Sequence, residues 1–390
     1  MLNFKSFLVS RLSETTLYEE ALGVLYQHWL HNNLNEDLAS NPFLILTPSA
    51  VDKKTDSAKK ENPTIPLGKL GVKIKAELSK LQGETPKEIQ KALKIAKQIK
   101  AQDIMGKETS NPKLEKSGKI GEKLGRGLYT IGLSLAPADM SGINVCPCST
   151  ANCVASCLGK EAGRGVMTPV RKGRIDRVRV LMDSPEIFIR LLVNEIKSGL
   201  RKAQKEDKQL VVRLNVLSDI AWEFVAPELF TMFPDVQFYD YTKVVGRVTK
   251  GKTPPTNYHL TISSTGFGAD SNWSACKQYL AKGGVVSMVL RMADPKTPFQ
   301  YPSYLIDTDG KKYKMINGDE HDARFVDKEI NLGVDNKDSD EGLIAGLKLK
   351  GGAEKQKIRA GSFAVIVEPK KDSEGNYYVD VSKQKDLVDL

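Results

Sequence analysis

Four of the five cysteines of this chain fall within twelve residues, Cys146-Pro-Cys148-Ser-Thr-Ala-Asn-Cys153-Val-Ala-Ser-Cys157, and the fifth, Cys276, lies far downstream. Thiols this dense suit a soft metal, because sulfur ligands match zinc, copper(I) and iron–sulfur clusters. The spacing C-x-C-x4-C-x3-C is not the paired C-x2-C of a zinc ribbon, and no histidine stands nearby to complete a finger. A disulfide pair is the alternative, although disulfides are scarce in reducing compartments. Cys146, Cys148, Cys153 and Cys157 are therefore the candidate metal ligands. Four thiolates would close a tetrahedral zinc shell.

A second group of reactive residue types follows the strand-like runs downstream. The first run ends in Arg213, Asn215, Ser218 and Asp219, with Trp222 and Glu223 after them. The second ends in Asp240, Tyr241, Thr242, Lys243 and Arg247, and the third in Ser263 and Ser264 after His259. Parallel α/β folds place their active sites at such strand ends. An aspartate there can accept a proton or hold a donor, and a lysine can neutralise a phosphate or carboxylate. Asp219, Lys243, Arg213 and Asp240 are the candidate catalytic residues. Asn215, Ser218 and Ser263 are the candidates to contact a cofactor. The plain alternative for Asp219 is a cap on the helix that follows it.

Two further clusters are weaker. Residues 316–327 are dense in acids (Asp319, Glu320, Asp322, Asp327) and include His321. Such oxygens suit magnesium, but a solvated acidic turn reads equally well, and the spacing is not that of an EF-hand loop. His28 and His31 share one face of a helix expected over residues 13–30, where surface histidines are commoner than ligands.

The elements that must position these groups change character along the chain. Residues 1–50 read as an N-terminal helical segment, and residues 51–127 as a Lys-rich linker with one good helix at 85–100. That helix has Thr85 as N-cap, Pro86 at its first position and Glu88 at the third. Residues 128–390 read as an α/β catalytic-like domain. A strand leads from residue 128 into the cysteines, and a basic run of Arg171, Lys172, Arg174, Arg177 and Arg179 follows them. A long helix opens at Ser184-Pro185-Glu186, with Phe188, Leu191, Leu192, Ile196 and Leu200 on its buried side. Strands at 210–215, 236–242, 258–263 and 285–290 then alternate with helices at 222–233 and 272–282. Strand, helix, strand with short connections implies parallel pairing. The expected fold is thus α/β, a parallel-stranded barrel or partial barrel with a cysteine-rich loop, and a doubly wound sheet is the alternative. Strand-rich segments at 343–349, 363–367 and 377–381 would close or flank it.

Charge adds a partner. The net charge is +10, from 58 Lys and Arg against 48 Asp and Glu in 390 residues. Residues 51–130 hold 19 basic against 10 acidic side chains. Such a segment attracts phosphate backbones without sequence specificity, so nucleic acid is the expected partner, with a solvated linker as the bland reading. Its lack of interleaved aromatics argues against specific single-strand recognition. No run of 18 apolar residues predicts a membrane span. The first residues are too short in apolar character for a secretory signal, which points to the cytoplasm.

The succession Cys146-Pro…Cys153-x3-Cys157-Leu, Arg213-Leu-Asn-x2-Ser-Asp-Ile-x-Trp-Glu223, Phe238-Tyr-Asp-Tyr-Thr-Lys243, Asn257-Tyr-His-Leu-Thr-x-Ser263 and Gly318-Asp-x2-Asp-x-Arg-Phe325 resembles the phage "gene product 88" domain family over about residues 128–352. The family's cysteines correspond to Cys146, Cys153 and Cys157, and Cys148 is an addition here. The resemblance implies a phage protein in the cytoplasm of its host, and no particular chemistry. More distantly, three cysteines ahead of an α/β barrel resemble the radical S-adenosylmethionine enzymes, in which three thiolates hold a [4Fe–4S] cluster whose fourth iron binds the methionine moiety. The spacing C-x6-C-x3-C departs from the usual C-x3-C-x2-C of those enzymes.

Three functions follow as expectations. The first is an enzyme that modifies a nucleic-acid base or a related small molecule with a [4Fe–4S] cluster and S-adenosylmethionine, Asp219, Lys243 and Arg213 positioning the substrate. The second is a zinc-bearing, transglycosylase-like enzyme that exchanges a base in DNA, with Asp219 or Asp240 as nucleophile and a structural Zn2+. The third is a non-catalytic DNA-binding protein with a structural zinc site.

Overall fold

Runs of β-branched and aromatic residues, which suit a pleated and buried surface, become the strands of one sheet in the computed structural model. The structure describes residues 64–81, 104–107, 112–161, 163–249, 253–267, 271–294, 296–333, 340–350, 364–368 and 370–383. The segment expected at 1–50, with His28 and His31, and the helix expected at 85–100 lie outside the described residues.

Helix α1 (Leu67–Leu81), strand β1 (Met105–Lys107), helix α2 (Pro112–Lys123) and strand β2 (Gly127–Leu133) come first. The cysteine loop follows and contains the short helix α3 (Ala151–Ala155). Helices α4 (Thr168–Asp183) and α5 (Pro185–Lys205) come next. The alternating series is then β3 (Lys208–Arg213), α6 (Trp222–Val225), α7 (Pro227–Met232), β4 (Gln237–Thr242), β5 (Tyr258–Ser263), α8 (Trp273–Leu280) and β6 (Val285–Met292). Strands β7 (Tyr304–Ile306), β8 (Lys312–Asn317), β9 (Leu343–Lys348), β10 (Val365–Val367), β11 (Lys370–Lys371) and β12 (Tyr377–Asp380) complete the described chain.

The strands lie in the order β1-β2-β3-β4-β5-β6-β9-β8-β7-β12-β11, with β10 pairing β6 outside this path. Neighbours from β2 through β6 and on to β9 and β8 are all parallel. The sheet is mostly parallel and open, which corrects the expectation of a barrel. The free side of β2 is taken by antiparallel β1, and beyond β6 the series runs outward through β9, β8 and antiparallel β7. No described strand returns to β2. The parallel core nevertheless brings the C-terminal ends of β2 through β6 and of β9 to one edge.

Helix α5 covers the sheet with Phe188, Leu192 and Ile196, all fully buried. Burying side chains of this size contributes about 1.5–3 kcal/mol each. Pro185 starts this helix, and the side chain of Ser184 makes no capping bond. Gly199 lets helix and sheet approach: a Cβ there would lie 3.0 Å from Ile131 Cδ1.

Parts of the segment expected as a Lys-rich linker are built into this core. Leu70, Ile74, Leu78 and Leu81 of α1 are buried in the same cluster as Phe188 and Trp222. Glu77 pairs with Arg190 of α5. Strand β1 is held by Glu195, whose two carboxylate oxygens accept the N–H groups of Ile104 and Met105, each at 2.8 Å. Ile120 of α2 packs with Leu128. Lysine content hid this pattern, because Lys73 and Lys80 occupy the exposed side of α1 while the apolar stripe does the packing. No helix among the described residues is long and apolar enough to cross a membrane.

Candidate active site

At the C-terminal edge of the parallel strands lies a cavity of about 380 Å3, within the range of small-ligand sites. Arg213, Asn215, Ser218, Asp219, Lys243 and Ser263 all line it, as do Cys146, Cys153 and Cys157. Val289, Leu347 and Leu349 form an apolar wall, and Lys116, Lys348 and Lys350 add positive charge. A second cleft, of about 600 Å3, runs beside α7 under Pro227, Pro234, Pro254 and Pro255. Its charged members, Glu223 and Arg247, are bonded to each other.

Asp219 is the hub of the main cavity. Its backbone N–H donates to Val145 O at 2.9 Å. One carboxylate oxygen accepts the backbone N–H of Lys243 at 2.8 Å, and the other accepts Arg247 Nη1 at 2.9 Å. It does not cap α6, which carries no side-chain cap. Arg247 is fully buried, and it also donates to both oxygens of Glu223 at 2.7 Å and to Tyr258 Oη at 3.0 Å. Tyr258 in turn donates to Asp240 at 2.8 Å. Lys243 projects its ammonium onto Ser263 Oγ at 2.7 Å.

The two remaining catalytic candidates have other surroundings. Asp240 is wholly buried and does not line the cavity. It accepts Asn215 N at 2.6 Å, Asn215 Nδ2 at 3.2 Å and Tyr258 Oη. Burial pushes its carboxyl up to about 7, against the pull of Arg213 and Tyr258. Its place behind the strand ends makes it a support for the loop after β3. Asn215 completes that support by accepting Ser218 Oγ at 2.8 Å and Ile220 N at 2.9 Å.

Arg213 is engaged by a residue 109 positions away, Asp322, through a buried ion pair. Tyr241 Oη donates to the same carboxylate at 3.1 Å and Tyr239 Oη at 3.3 Å. The Arg213 guanidinium also sits over the Tyr241 ring, 4.7 Å from its centre. The acid-dense segment is therefore no solvated turn in this part. Asp322 and His321 reach the cavity, and Asp327 is buried against Arg324 at 3.2 Å. Burial and Arg324 lower the His321 imidazole to about 3.

The thiols divide into two kinds. Cys146, Cys153 and Cys157 share the cavity wall, whereas Cys148 does not line it. Burial raises Cys146 and Cys157 above the usual thiol range and pushes Cys148 up to about 12. The Cys146 thiol donates to Leu217 O at 3.4 Å, and the backbone N–H of Lys160 closes the turn onto the carbonyl of Cys157 at 3.0 Å. Ala138 has φ 42°, a left-handed conformation that costs a residue with a Cβ about 1–3 kcal/mol and is found at functional sites. All five cysteines are free thiols. Among the described residues, no three His, Cys, Asp or Glu side chains are gathered closely enough to hold a metal ion. As placed, the thiols do not form a closed zinc shell.

Four contributors escaped the sequence reading of the site: Asp322 as the partner of Arg213, Tyr241 as its platform, and Lys348 and Lys350 at and after the end of β9. The acid density around Asp322 and the place of Tyr241 at a strand end were the signals present. The family model described as Gene product 88 matches residues 99–360, well over half of the chain. No curated protein and no solved structure matches.

Proposed function

The chain belongs to the gene product 88 family, and we propose that it is a phage-encoded enzyme that exchanges or modifies a nucleic-acid base, with the sugar of the target nucleotide seated beside Asp219. One observation carries this reading. A carboxylate and an ammonium, Asp219 and Lys243, share the wall of one cavity, while Arg247 and a backbone N–H fix the carboxylate from behind. A carboxylate held this way suits nucleophilic attack at the sugar carbon that bears the base. Its oxygen bonds to C1′ as the bond to the base breaks and the base departs with the electron pair. A second base then displaces the aspartate, and its N–H proton passes to the departed base, which left as the anion. Lys243 supplies the charge that neutralises the phosphate of the same nucleotide.

The test is incorporation of labelled free bases into DNA or RNA, with denaturing gels to trap an adduct on Asp219. Incorporation that disappears in Asp219→Ala supports the reading. Neither incorporation nor adduct with any base supplied would sink it.

A second reading, a three-thiol iron–sulfur site, is favoured by the shared cavity wall of Cys146, Cys153 and Cys157. A cluster held there would supply an electron to cleave S-adenosylmethionine. Among the described residues the thiols as placed are not drawn into a ligand set. Iron content and visible absorption after anaerobic purification decide it: a colourless, iron-free protein removes this reading.

A further inference from the structure

Helix α4 has a composition that core packing does not explain. Val178 and Leu181 are its only buried residues, with Ile175, Val180 and Met182 packed against the core beside them, and its remaining face is dominated by arginine and lysine. Residues 158–183 contain seven Lys and Arg against three acids, which equals the whole positive excess of residues 131–390. Three of these cations, Arg171, Arg174 and Arg177, follow one another at helical spacing. They grip backbone carbonyls beside the cavity. Arg171 donates to Gly165 O at 2.7 Å and Lys160 O at 2.5 Å, Arg174 to Gly159 O at 2.8 Å, and Arg177 to Ser134 O at 3.3 Å.

Carbonyls satisfy these donors without cancelling their charge. Like charges at this spacing repel, and Arg174 is lowered by burial and by its neighbours Arg177 and Arg171. The outer side of α4 is basic as well. Lys172 and Arg179 are well exposed, with Asp176 between them at 2.7 and 3.7 Å. Just before the helix, Val166 and Met167 are 56% and 51% exposed, two of the few large apolar side chains so placed among the described residues. The backbone carries this pair to the cavity. Gly165 lies so close to the carbonyls of Leu158 and Gly159 that a Cβ would stand 2.7 Å from each, and Leu158 lines the cavity.

We propose that the face formed by residues 158–183 is the bed for a nucleic-acid strand, with its phosphates on Lys172, Arg179 and the arginine ridge and its bases against Val166 and Met167. The strand is the substrate of the neighbouring cavity, and in that identification alone the proposal rests on the function proposed above. It places the strand on a different segment from residues 51–130, on which the charge count alone put the expectation.

The test uses the full chain and a fluorescent single-stranded oligonucleotide, with anisotropy read over a salt series. The double variant Lys172→Glu, Arg179→Glu leaves the carbonyl-gripping arginines in place. It is expected to weaken binding about tenfold or more at low salt and to reduce the slope of log K against log salt by about 1.4, at about 0.7 for each phosphate no longer neutralised. Val166→Ser, Met167→Ser is expected to weaken binding severalfold with the slope unchanged. In parallel, Lys91, Lys94, Lys97 and Lys100 are changed to Gln. Unchanged affinity and slope in the first variant, with weakening only in the lysine series, overturns the proposal. So does a surface that binds anionic vesicles but no oligonucleotide. Weakened binding in the first variant beside a failed base-incorporation assay keeps the strand bed and rejects the cavity chemistry.

Discussion

The carboxylate of Asp219 accepts the backbone N–H of Lys243 at 2.8 Å, so the residue after β3 fixes the direction in which the chain leaves β4. The Lys243 ammonium then falls 2.7 Å from Ser263 Oγ, at the end of the next strand. Three successive strands are tied at their exits by two side chains.

Lys243→Met should therefore be the cleanest loss-of-function variant. It keeps the backbone N–H that Asp219 needs and most of the side-chain volume, and it removes the ammonium with its bond to Ser263. Nucleotide binding or turnover is expected to fall by about 100-fold or more, the order of effect when one charge-stabilising group is removed from an active site, with the melting temperature nearly unchanged. A variant with full activity would exclude Lys243 from the site.

Asp219→Asn should behave differently. It weakens the bond to a fully buried guanidinium, and hydrogen bonds to charged groups contribute about 1.5–3 kcal/mol. Denaturant unfolding is expected to show destabilisation of that order together with loss of activity. Arg247→Met is expected to cost more, about 3–5 kcal/mol, because Glu223 would be left buried without its partner.

A chain beginning at residue 128 is expected not to fold. It would lack the buried side chains of α1 and leave the Glu195 carboxylate facing no strand. A chain beginning at residue 64 should retain the parent's cooperative unfolding transition, and circular dichroism with urea melts would distinguish the two. Equal stability for both would show that α1 and β1 only decorate the sheet.

His259→Gln is expected to flatten the acid limb of the stability curve. Burial, then Arg324 and Lys328, lowers His259 from an ordinary value of 6.5 to about 4. The unfolded chain therefore binds a proton that the folded chain refuses, and this contribution is complete above about 6.5 and is lost as pH falls toward 4. Asp240 and Asp327, raised to about 7 by burial, act in the opposite sense over the same interval. The comparison is thus between variant and parent at each pH, and a constant gap from pH 7 to 4 would contradict it.

Much of the sheet was legible because parallel strands buried on both faces are written as apolar runs. Residues 210–215 and 258–263 were read almost as β3 and β5 stand, and Pro185 marked the start of α5. The closure of the sheet was not legible. It depends on what pairs with β2, and the strand that does so, β1, is the three residues Met-Gly-Lys in a Lys-rich stretch. The site was legible as strand ends but not as partners. Arg213 finds Asp322 because the segment after β8 folds back over the sheet, with Ala323 and Val326 packed against Val211 and Tyr239, and no local spacing encodes that. Asp240 and Asp219 look alike in sequence. Only the fold separates the one sealed behind Asn215 and Tyr258 from the one on the cavity wall.

The backbone of Asp219 holds Val145, one residue ahead of Cys146, while its side chain holds Lys243. A single residue thus joins the thiol loop to the cationic wall, and neither can move without straining the other. Thermodynamic reciprocity then applies: whatever engages the thiols and shifts Val145 must change the affinity for an anion at Lys243, and the anion must change the affinity of the thiols for their own ligand by the same factor. Thiol titration with a soft metal ion, measured with and without a bound nucleotide, would give the size of that exchange, and Asp219→Ala should reduce it to nothing.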